Sequence, residues 1–445
     1  MTRETDVFLE GINRPVGRLT GAPDMSLSFR YSADGLNANR ALSLSLPVRE
    51  EAYGDPAARA FFGNLLNENN ALDSVMARHG IARNDIAGLL FHLGRDCPGA
   101  LSCVPPGEGP SKQPGRLDSD YERLTNDHLA RIMADLRERR RLPAEIRDPS
   151  PLAGVQGKIA LARLPNGEFV LPKSNLNVPT THILKVPRNG EESLVDQEDT
   201  LLSLGRQTLK RNQITVAEPF ACGNERGLLI ARFDRVLEGN IVHRLHQEDF
   251  AQALGLPESL KYERNGAIAG RIFSAATVGG LFDKLASPAI ARLKFLEATL
   301  FNLAIGNTDN HAKNHALLYD FERAAPAVAP LYDLVPILLD PGVTHDFAYK
   351  IGRAERFDQL QRDDFDAFCR AIGFRAGFNG TLRNQTKALL QSAADTIKPY
   401  GGRRKLLGDM IADQVLRLSD ILELDVTVPE RDLFVQAGGG FRIGS

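Results

Sequence analysis

Tryptophan is absent from this 445-residue sequence, cysteine occurs only four times, and neither sign of charge dominates. Each scarcity excludes something. Cys97, Cys103, Cys222 and Cys369 form no C-x-x-C pair and no histidine cluster accompanies them. That argues against a disulfide framework or a zinc ribbon and reads as free thiols in a reducing cytosol. With 54 Lys+Arg against 56 Asp+Glu, the net charge of −2 carries no global nucleic-acid signature, so a DNA or RNA contact would need a local basic patch or a partner. No apolar run approaches the roughly 18 residues of a membrane-spanning helix, and the N-terminus lacks a basic-then-apolar signal pattern. A cytoplasmic location with no membrane partner is therefore expected. There is no G-x-S-x-G elbow, Walker A motif or G-x-G-x-x-G fingerprint. His311 and His315 invite a metal reading with His246, but the H-E-x-x-H spacing is missing and no Cys or Glu completes a zinc set.

What is present is an ordinary globular composition, 43% apolar and 25% charged, over a length that implies roughly two to three domains. Residues 1–120 read as a small α/β subdomain. Val7-Phe8-Leu9 and Pro15 to Leu19 suggest a hairpin, Leu27 to Tyr31 alternates as a half-buried strand, and Ala58 to Leu66 is helical in pattern. Cys103 to Gly115 is rich in Pro and Gly, as a linker or exposed loop is. Asn126 to Arg139 reads as an amphipathic helix whose charged run, Arg137 to Arg141, fits a solvated face.

Residues 121–236 read as the next domain, in which 150–236 alternate strands and loops. Lys158 to Leu164 is a strand, Pro165 to Glu168 a turn, and Thr181 to Val186 a second strand. Glu198 to Leu209 is a helix, and Thr215 to Cys222 and Gly227 to Phe233 are further strands. Across 237–430 the pattern becomes helical, at Gln247–Leu254, Ile272–Leu285, Ile290–Ala304, Asp364–Ile372, Leu382–Ile397 and Met410–Leu422. Leu293, Leu296, Leu300 and Leu303 form one apolar stripe of the third helix. Residues 431–445, ending in a glycine-rich stretch, read as a flexible tail. A β-rich lobe followed by an all-helical lobe, behind a small α/β subdomain, is an α+β arrangement of the two-lobed protein-kinase type.

The chemistry concentrates after the Ile290–Ala304 helix, in Ile305-Gly306-Asn307-Thr308-Asp309-Asn310-His311-Ala312-Lys313-Asn314. An Asp is followed five residues later by an Asn, and Asp333 comes nineteen residues after that, in Leu331-Tyr332-Asp333-Leu334. Protein kinases arrange their catalytic base and two magnesium ligands in this order. Taken alone, Asp309 reads equally as a loop carboxylate capping a helix. Taken together, Asp309 can accept the proton of a hydroxyl, while Asn314 and Asp333 offer the oxygen ligands that Mg²⁺ prefers. Lys185 is either a solvated side chain or the phosphate-binding lysine of a kinase sheet, with Glu198, at the start of the next helix, as its partner. Ala153-Gly154-Val155-Gln156-Gly157-Lys158 is a glycine-containing turn whose backbone N–H groups could approach phosphate oxygens. The strand ending at Phe233 would lead into a hinge whose backbone binds adenine.

Several separated motifs resemble the HipA family, serine/threonine kinase toxins of bacterial toxin–antitoxin pairs. They are Ala153 to Lys158, Pro179 to Lys185, Arg232-Phe233-Asp234-Arg235, Gln247-Glu248-Asp249, Gly255-Leu256-Pro257 with Lys261-Tyr262-Glu263, and Asp309 to Asn314. Phe61 to Leu66 and Gly94 to Leu101 resemble the N-terminal part, so the likeness spans about residues 5–425. The resemblance implies that Asp309 is the catalytic base and that Asn314 and Asp333 hold Mg²⁺. ATP would be bound by Ala153, Gly154, Val155, Gln156, Gly157, Lys158 and Lys185, by Ala231, Arg232 and Phe233 at the hinge, and by His311, Asn314, Tyr332 and Asp333. It further implies a protein substrate, an aminoacyl-tRNA synthetase, whose loss slows translation and growth. The implied partner is a helix-turn-helix HipB-like antitoxin dimer that holds the toxin on operator DNA and represses the operon.

One departure concerns regulation. Family members carry an autophosphorylated serine just before the apolar–Ala–Gly–x–Gln segment, and here that place is Pro151, with Ser150 one residue earlier. Ser150 is the candidate autophosphorylation site, since a phosphate's charge there could expel the loop. Two other readings stand beside the toxin kinase. One is a co-repressor that mainly grips an antitoxin on DNA. The other is a small-molecule kinase of the aminoglycoside type.

Overall fold

The computed structural model describes residues 2–66, 70–143, 146, 157–268, 270–321, 325–435 and 441–443. The chain divides into two units. One comprises Met1–Val195, Val216–Glu258 and Leu317–Ala324, and the other Asp196–Thr215, Ser259–Ala316 and Ala325–Ser445.

The first unit opens with β1 (Arg3–Leu9), β2 (Gly17–Gly21) and β3 (Leu27–Tyr31), followed by helices α1 (Ala33–Ala38), α2 (Asp55–Gly63), α3 (Asn70–His79) and α4 (Ile86–Leu93) and by β4 (Leu101–Val104). The expected hairpin is β1–β2, and the antiparallel sheet runs β3-β2-β1-β4. Its core centres on Phe29, whose ring meets Tyr31 edge-on at 4.9 Å and Phe62 of α2 at 5.1 Å. The stretch from Cys103 to Gly115 differs from an exposed loop at two points. Cys103 is a buried strand residue, and Lys112 is fully buried, its ammonium 2.5 Å from Asp96.

The chain continues through β5 (Gly115–Arg116), β6 (Tyr121–Arg123), α5 (Asn126–Arg139), β7 (Gly157–Arg163), β8 (Phe169–Pro172) and β9 (His182–Val186). Helix α6 (Glu192–Thr208) leads into the second unit, and the first resumes with β10 (Ala217–Cys222) and β11 (Glu225–Ala231). These strands build a six-stranded sheet in the order β10-β11-β9-β7-β8-β6. Helix α5 starts as expected because the Thr125 hydroxyl accepts from the His128 N–H, satisfying one orphan donor of the first turn. Leu129, Ile132, Met133 and Leu136 recur at helical spacing and pack on Ile159, Leu161, Leu184 and Val186 of the sheet. Each such burial stabilises by about 1.5–3 kcal/mol. The charged run beyond that stripe is only partly solvated, since Arg137 pairs with buried Glu225 at 2.9 Å.

Two expectations shift here. Helix α6 begins at Glu192, so Glu198 lies inside the helix, buried, and does not open it. Its first three residues, Glu192, Ser193 and Leu194, are exposed, and the buried face begins only at Val195. The helix expected over Gln247–Leu254 is in part a strand. After β12 (Arg235–Glu238) and β13 (Ile241–Arg244) comes β14 (His246–Asp249), and only then α7 (Phe250–Leu254). A capping box between Asp249 and Gln252 sets the true helix start.

The second unit is dominated by helices: α8 (Ala275–Phe282), α9 (Pro288–Ala304), α10 (Arg362–Ala371), α11 (Gly380–Ile397) and α12 (Lys405–Leu422). Helix α9 is central. The expected stripe is buried at Leu296, Leu300 and Leu303 and half-buried at Leu293, and from Phe295 to Ala304 every residue is buried. Helices α8, α11 and α12 pack around it. Near the end of the chain, Leu433–Val435 pairs antiparallel with Phe441–Ile443. Among the described residues no helix is long and apolar enough to cross a membrane.

Candidate active site

The loop that follows α9 is launched by a glycine. Gly306 adopts φ +67°, in the left-handed region. Its N–H donates to Leu303 C=O (3.3 Å) and the Asn307 N–H to Asn302 C=O (2.8 Å). These are the two bonds of a Schellman motif, which ends a helix by turning the chain sharply away from its axis. The Asn307 amide also donates to Asn302 Oδ1 (2.9 Å), and its own Oδ1 accepts from the Asp309 N–H (3.2 Å). Buried α9 therefore fixes where Asp309 emerges.

Asn314 closes the loop. Its Nδ2 donates to the Asp309 carbonyl at 2.7 Å. With the nitrogen so committed, the Oδ1 end of the amide remains as an oxygen donor, the atom a hard cation takes. The Asp333 segment is brought in by two ties. Leu331 exchanges backbone bonds with Gln213 (2.8 Å) and Thr215 (2.9 Å), and the Tyr332 hydroxyl donates to Lys313 C=O at 2.7 Å. Asp333 itself sits at φ +56°, a conformation that side chains rarely adopt and that clusters at functional sites. His311 senses both carboxylates. Burial lowers its pKa, against the opposing pull of Asp309 and Asp333. Its Nδ1 is buried with no hydrogen-bond partner among the described residues, a polar atom available to a ligand. His315 is different in kind, since burial pushes it down to about 3 and it packs on Phe295 as a neutral core residue. Among the described residues no three His, Cys, Asp or Glu side chains group as a metal site.

Asp309, His311, Asn314, Tyr332 and Asp333 are thus brought together within the second unit. The remaining expected residues lie in the first. Gly157 and Lys158 are on β7, Lys185 on β9 and Ala231 at the end of β11, which are successive strands of one sheet. Lys158 and Lys185 are direct cross-strand partners. Because Ile159, Leu161, Leu184 and Val186 face α5, both lysines project from the opposite face. At the end of β11 the Ala231 N–H donates to Val216 C=O (2.8 Å) and the Arg232 N–H to Thr181 C=O (2.9 Å). The Arg232 guanidinium is engaged by Asp234 at 2.9 Å. Any adenine contact near Phe233 must use groups other than these two amides. Ser150 and Ala153 to Gln156 lie outside the described residues.

One residue of this site was quoted above only as part of a motif. Tyr262 donates its hydroxyl to Asp309 Oδ1 at 2.5 Å. It lies 47 positions upstream, and no periodicity or spacing in the sequence pairs the two.

The family model for the HipA-like C-terminal domain matches residues 150–398, more than half of the chain, and that for the HipA N-terminal domain matches residues 5–104. The chain belongs to the HipA family. This family of serine/threonine kinase toxins is the one its separated motifs resemble. Among curated relatives, a putative kinase Y4mE from Sinorhizobium fredii is 32% identical over 403 residues, covering 89% of this chain and 91% of that protein. The serine/threonine-protein kinase toxin HipA of Shewanella oneidensis is 29% identical over 333 residues, 70% of each. Among solved structures, the HipA fold from the Shewanella oneidensis MR-1 complex of HipA, HipB and operator DNA aligns with a TM-score of 0.75 at 23% identity, over 94% of this chain and 98% of that one. The HipA fold therefore holds along nearly the whole chain.

Proposed function

We propose that this HipA-family chain is a toxin that transfers the γ-phosphate of ATP to a serine or threonine hydroxyl of a protein. The observation that carries the reading is the bond from Asn314 Nδ2 to the Asp309 carbonyl, which locks base and ligand candidates into one loop beside Asp333. Asp309 accepts the proton of the substrate hydroxyl as its oxygen forms the new bond to phosphorus. The bond from phosphorus to the bridging oxygen breaks, and ADP leaves. Asn314 Oδ1 and the Asp333 carboxylate would hold Mg²⁺, which when bound neutralises charge on the phosphate oxygens. Lys158 and Lys185, side by side on one sheet face, supply cationic charge for phosphate. His311 and Tyr332 line the nucleotide side.

The family resemblance makes an aminoacyl-tRNA synthetase the proposed substrate, with arrest of translation as the consequence. It makes a helix-turn-helix antitoxin the proposed partner. The Shewanella toxin structure, solved with HipB and operator DNA, supports that partner class. The test is labelled ATP added to a lysate with the purified chain, followed by identification of the labelled protein. A discrete labelled protein is expected with the wild type and none with Asp309→Ala. Undiminished labelling by Asp309→Ala would remove Asp309 as the base.

A further inference from the structure

The environment of Asp309 contains a group that the kinase pattern of Asp, Asn and Asp does not include. The Tyr262 hydroxyl bonds Asp309 Oδ1 at 2.5 Å, a charge-assisted contact of the short, strong kind. The tyrosine is itself held on every side. Its ring lies edge-on to His311, with centroids 5.1 Å apart and planes at 83°. The Arg264 guanidinium sits 3.9 Å over the ring. On one side of Tyr262, Lys261 C=O accepts from the Ala312 N–H of the Asp309 loop (3.0 Å). On the other, the Glu263 N–H donates to Ala348 C=O (2.9 Å) and the Glu263 carboxylate accepts from the Lys350 N–H (2.6 Å). A side chain pinned at its ring and at the backbone on both sides holds its hydroxyl in one place.

A carboxylate acting as a base has two oxygens but needs only one for the proton it takes. From this geometry we infer that Tyr262 is a positioning residue for Asp309. Its hydroxyl occupies Oδ1 and fixes the plane of the carboxylate, so that Oδ2 is the oxygen presented to the substrate hydroxyl. The role rests on the proposed phosphotransfer. It makes the Tyr262 hydroxyl a determinant of turnover, because that hydroxyl acts on the base, while the ring contact with His311 is kept when only the hydroxyl is removed.

The experiment compares full-length wild type, Tyr262→Phe and Asp309→Asn. Tyr262→Phe keeps the ring between His311 and Arg264 and removes only the donor. The inference expects kcat to fall by roughly ten-fold or more, with KM for ATP and the thermal midpoint at wild-type values. Three outcomes overturn it. Unchanged kcat would show that the hydroxyl does not position the base. Raised kcat would mean that it blocks the acceptor place. A joint change in kcat, KM and midpoint would make the residue merely structural. Asp309→Asn separates the two levels. Full activity there defeats the kinase reading itself, whereas an inactive Asp309→Asn beside a fully active Tyr262→Phe defeats only the role of the tyrosine.

Discussion

Glu248 shows what one buried carboxyl can do to the pH dependence of the whole protein. Its Oε1 accepts from the Leu44 N–H (3.0 Å) and from the Tyr319 hydroxyl, while Oε2 is buried with no hydrogen-bond partner among the described residues. An ionised Oε2 in that position would be an unsolvated charge, so burial pushes the carboxyl from its ordinary 4.5 up to about 7. The sign of the linkage follows. Between pH 4.5 and 7 the unfolded chain releases this proton and the folded chain keeps it, so stability is fully present below 4.5 and is lost as pH rises through 7. The shift corresponds to about 3 kcal/mol. In Glu248→Gln the Oε1 acceptor remains and nothing titrates. Between pH 5 and pH 8 the wild type is therefore expected to lose about 2 to 3 kcal/mol more than the variant, read from urea denaturation at the two values. Parallel losses would show that Glu248 is not the titrating group.

The helix–loop junction at the end of α9 is the element on which the proposed chemistry depends. An alanine at Gly306 would have to hold φ +67°, and its Cβ would meet Met410 Sδ at 2.9 Å and Leu338 Cβ at 3.1 Å. The left-handed conformation alone costs roughly 1–2 kcal/mol. Gly306→Ala is expected to lower stability by at least that amount, the close approach to Met410 and Leu338 adding to it. Under conditions where it stays folded, it should also slow phosphotransfer, since the Schellman turn sets where Asp309 emerges. Denaturation together with single-turnover transfer checks both, and full-speed transfer from the variant would uncouple the turn from the site. This junction was legible in the sequence because its signals are local: an apolar helix, a glycine, then a polar loop with Asp309 and Asn314. The start of α6 was not legible, because its first three residues are exposed and only one buried apolar residue, Val195, precedes Glu198. The β14–α7 boundary was partly legible, since Asp249 followed three residues later by Gln252 marks a capping box that an apolar-period reading passes over. Tyr262 was invisible as a partner of Asp309 because a contact across 47 residues is made by tertiary packing, which no spacing rule encodes.

At the scale of the whole molecule, the order of a small α/β part, a β-sheet and then helices was readable from changes in hydrophobic period. The interleaving of the two units was not, because returning segments such as Leu317–Ala324 are too short to carry a pattern. Charge was readable as a total, and the structure adds where it is spent. Of the basic run at the end of α5, Arg137 pairs with Glu225 at 2.9 Å and Arg139 with Asp135 at 3.3 Å. Near the start of α12, Lys405 pairs with Asp409 at 3.0 Å and Asp432 at 2.8 Å, and Arg403 lies 3.9 Å from Asp196. Paired cations release few counterions from DNA, and counterion release supplies nearly all sequence-independent affinity. With 54 basic against 56 acidic residues overall, the chain has no surplus to offset that. The isolated chain is therefore expected not to retard duplex DNA even near ~50 mM salt, where such binding is strongest. Any DNA contact would then be made by a partner of the HipB kind. Gel-shift titration of the purified chain across salt concentrations measures this. Retention that weakens steeply with added salt would reveal a basic patch on the chain itself and return part of the DNA contact to it.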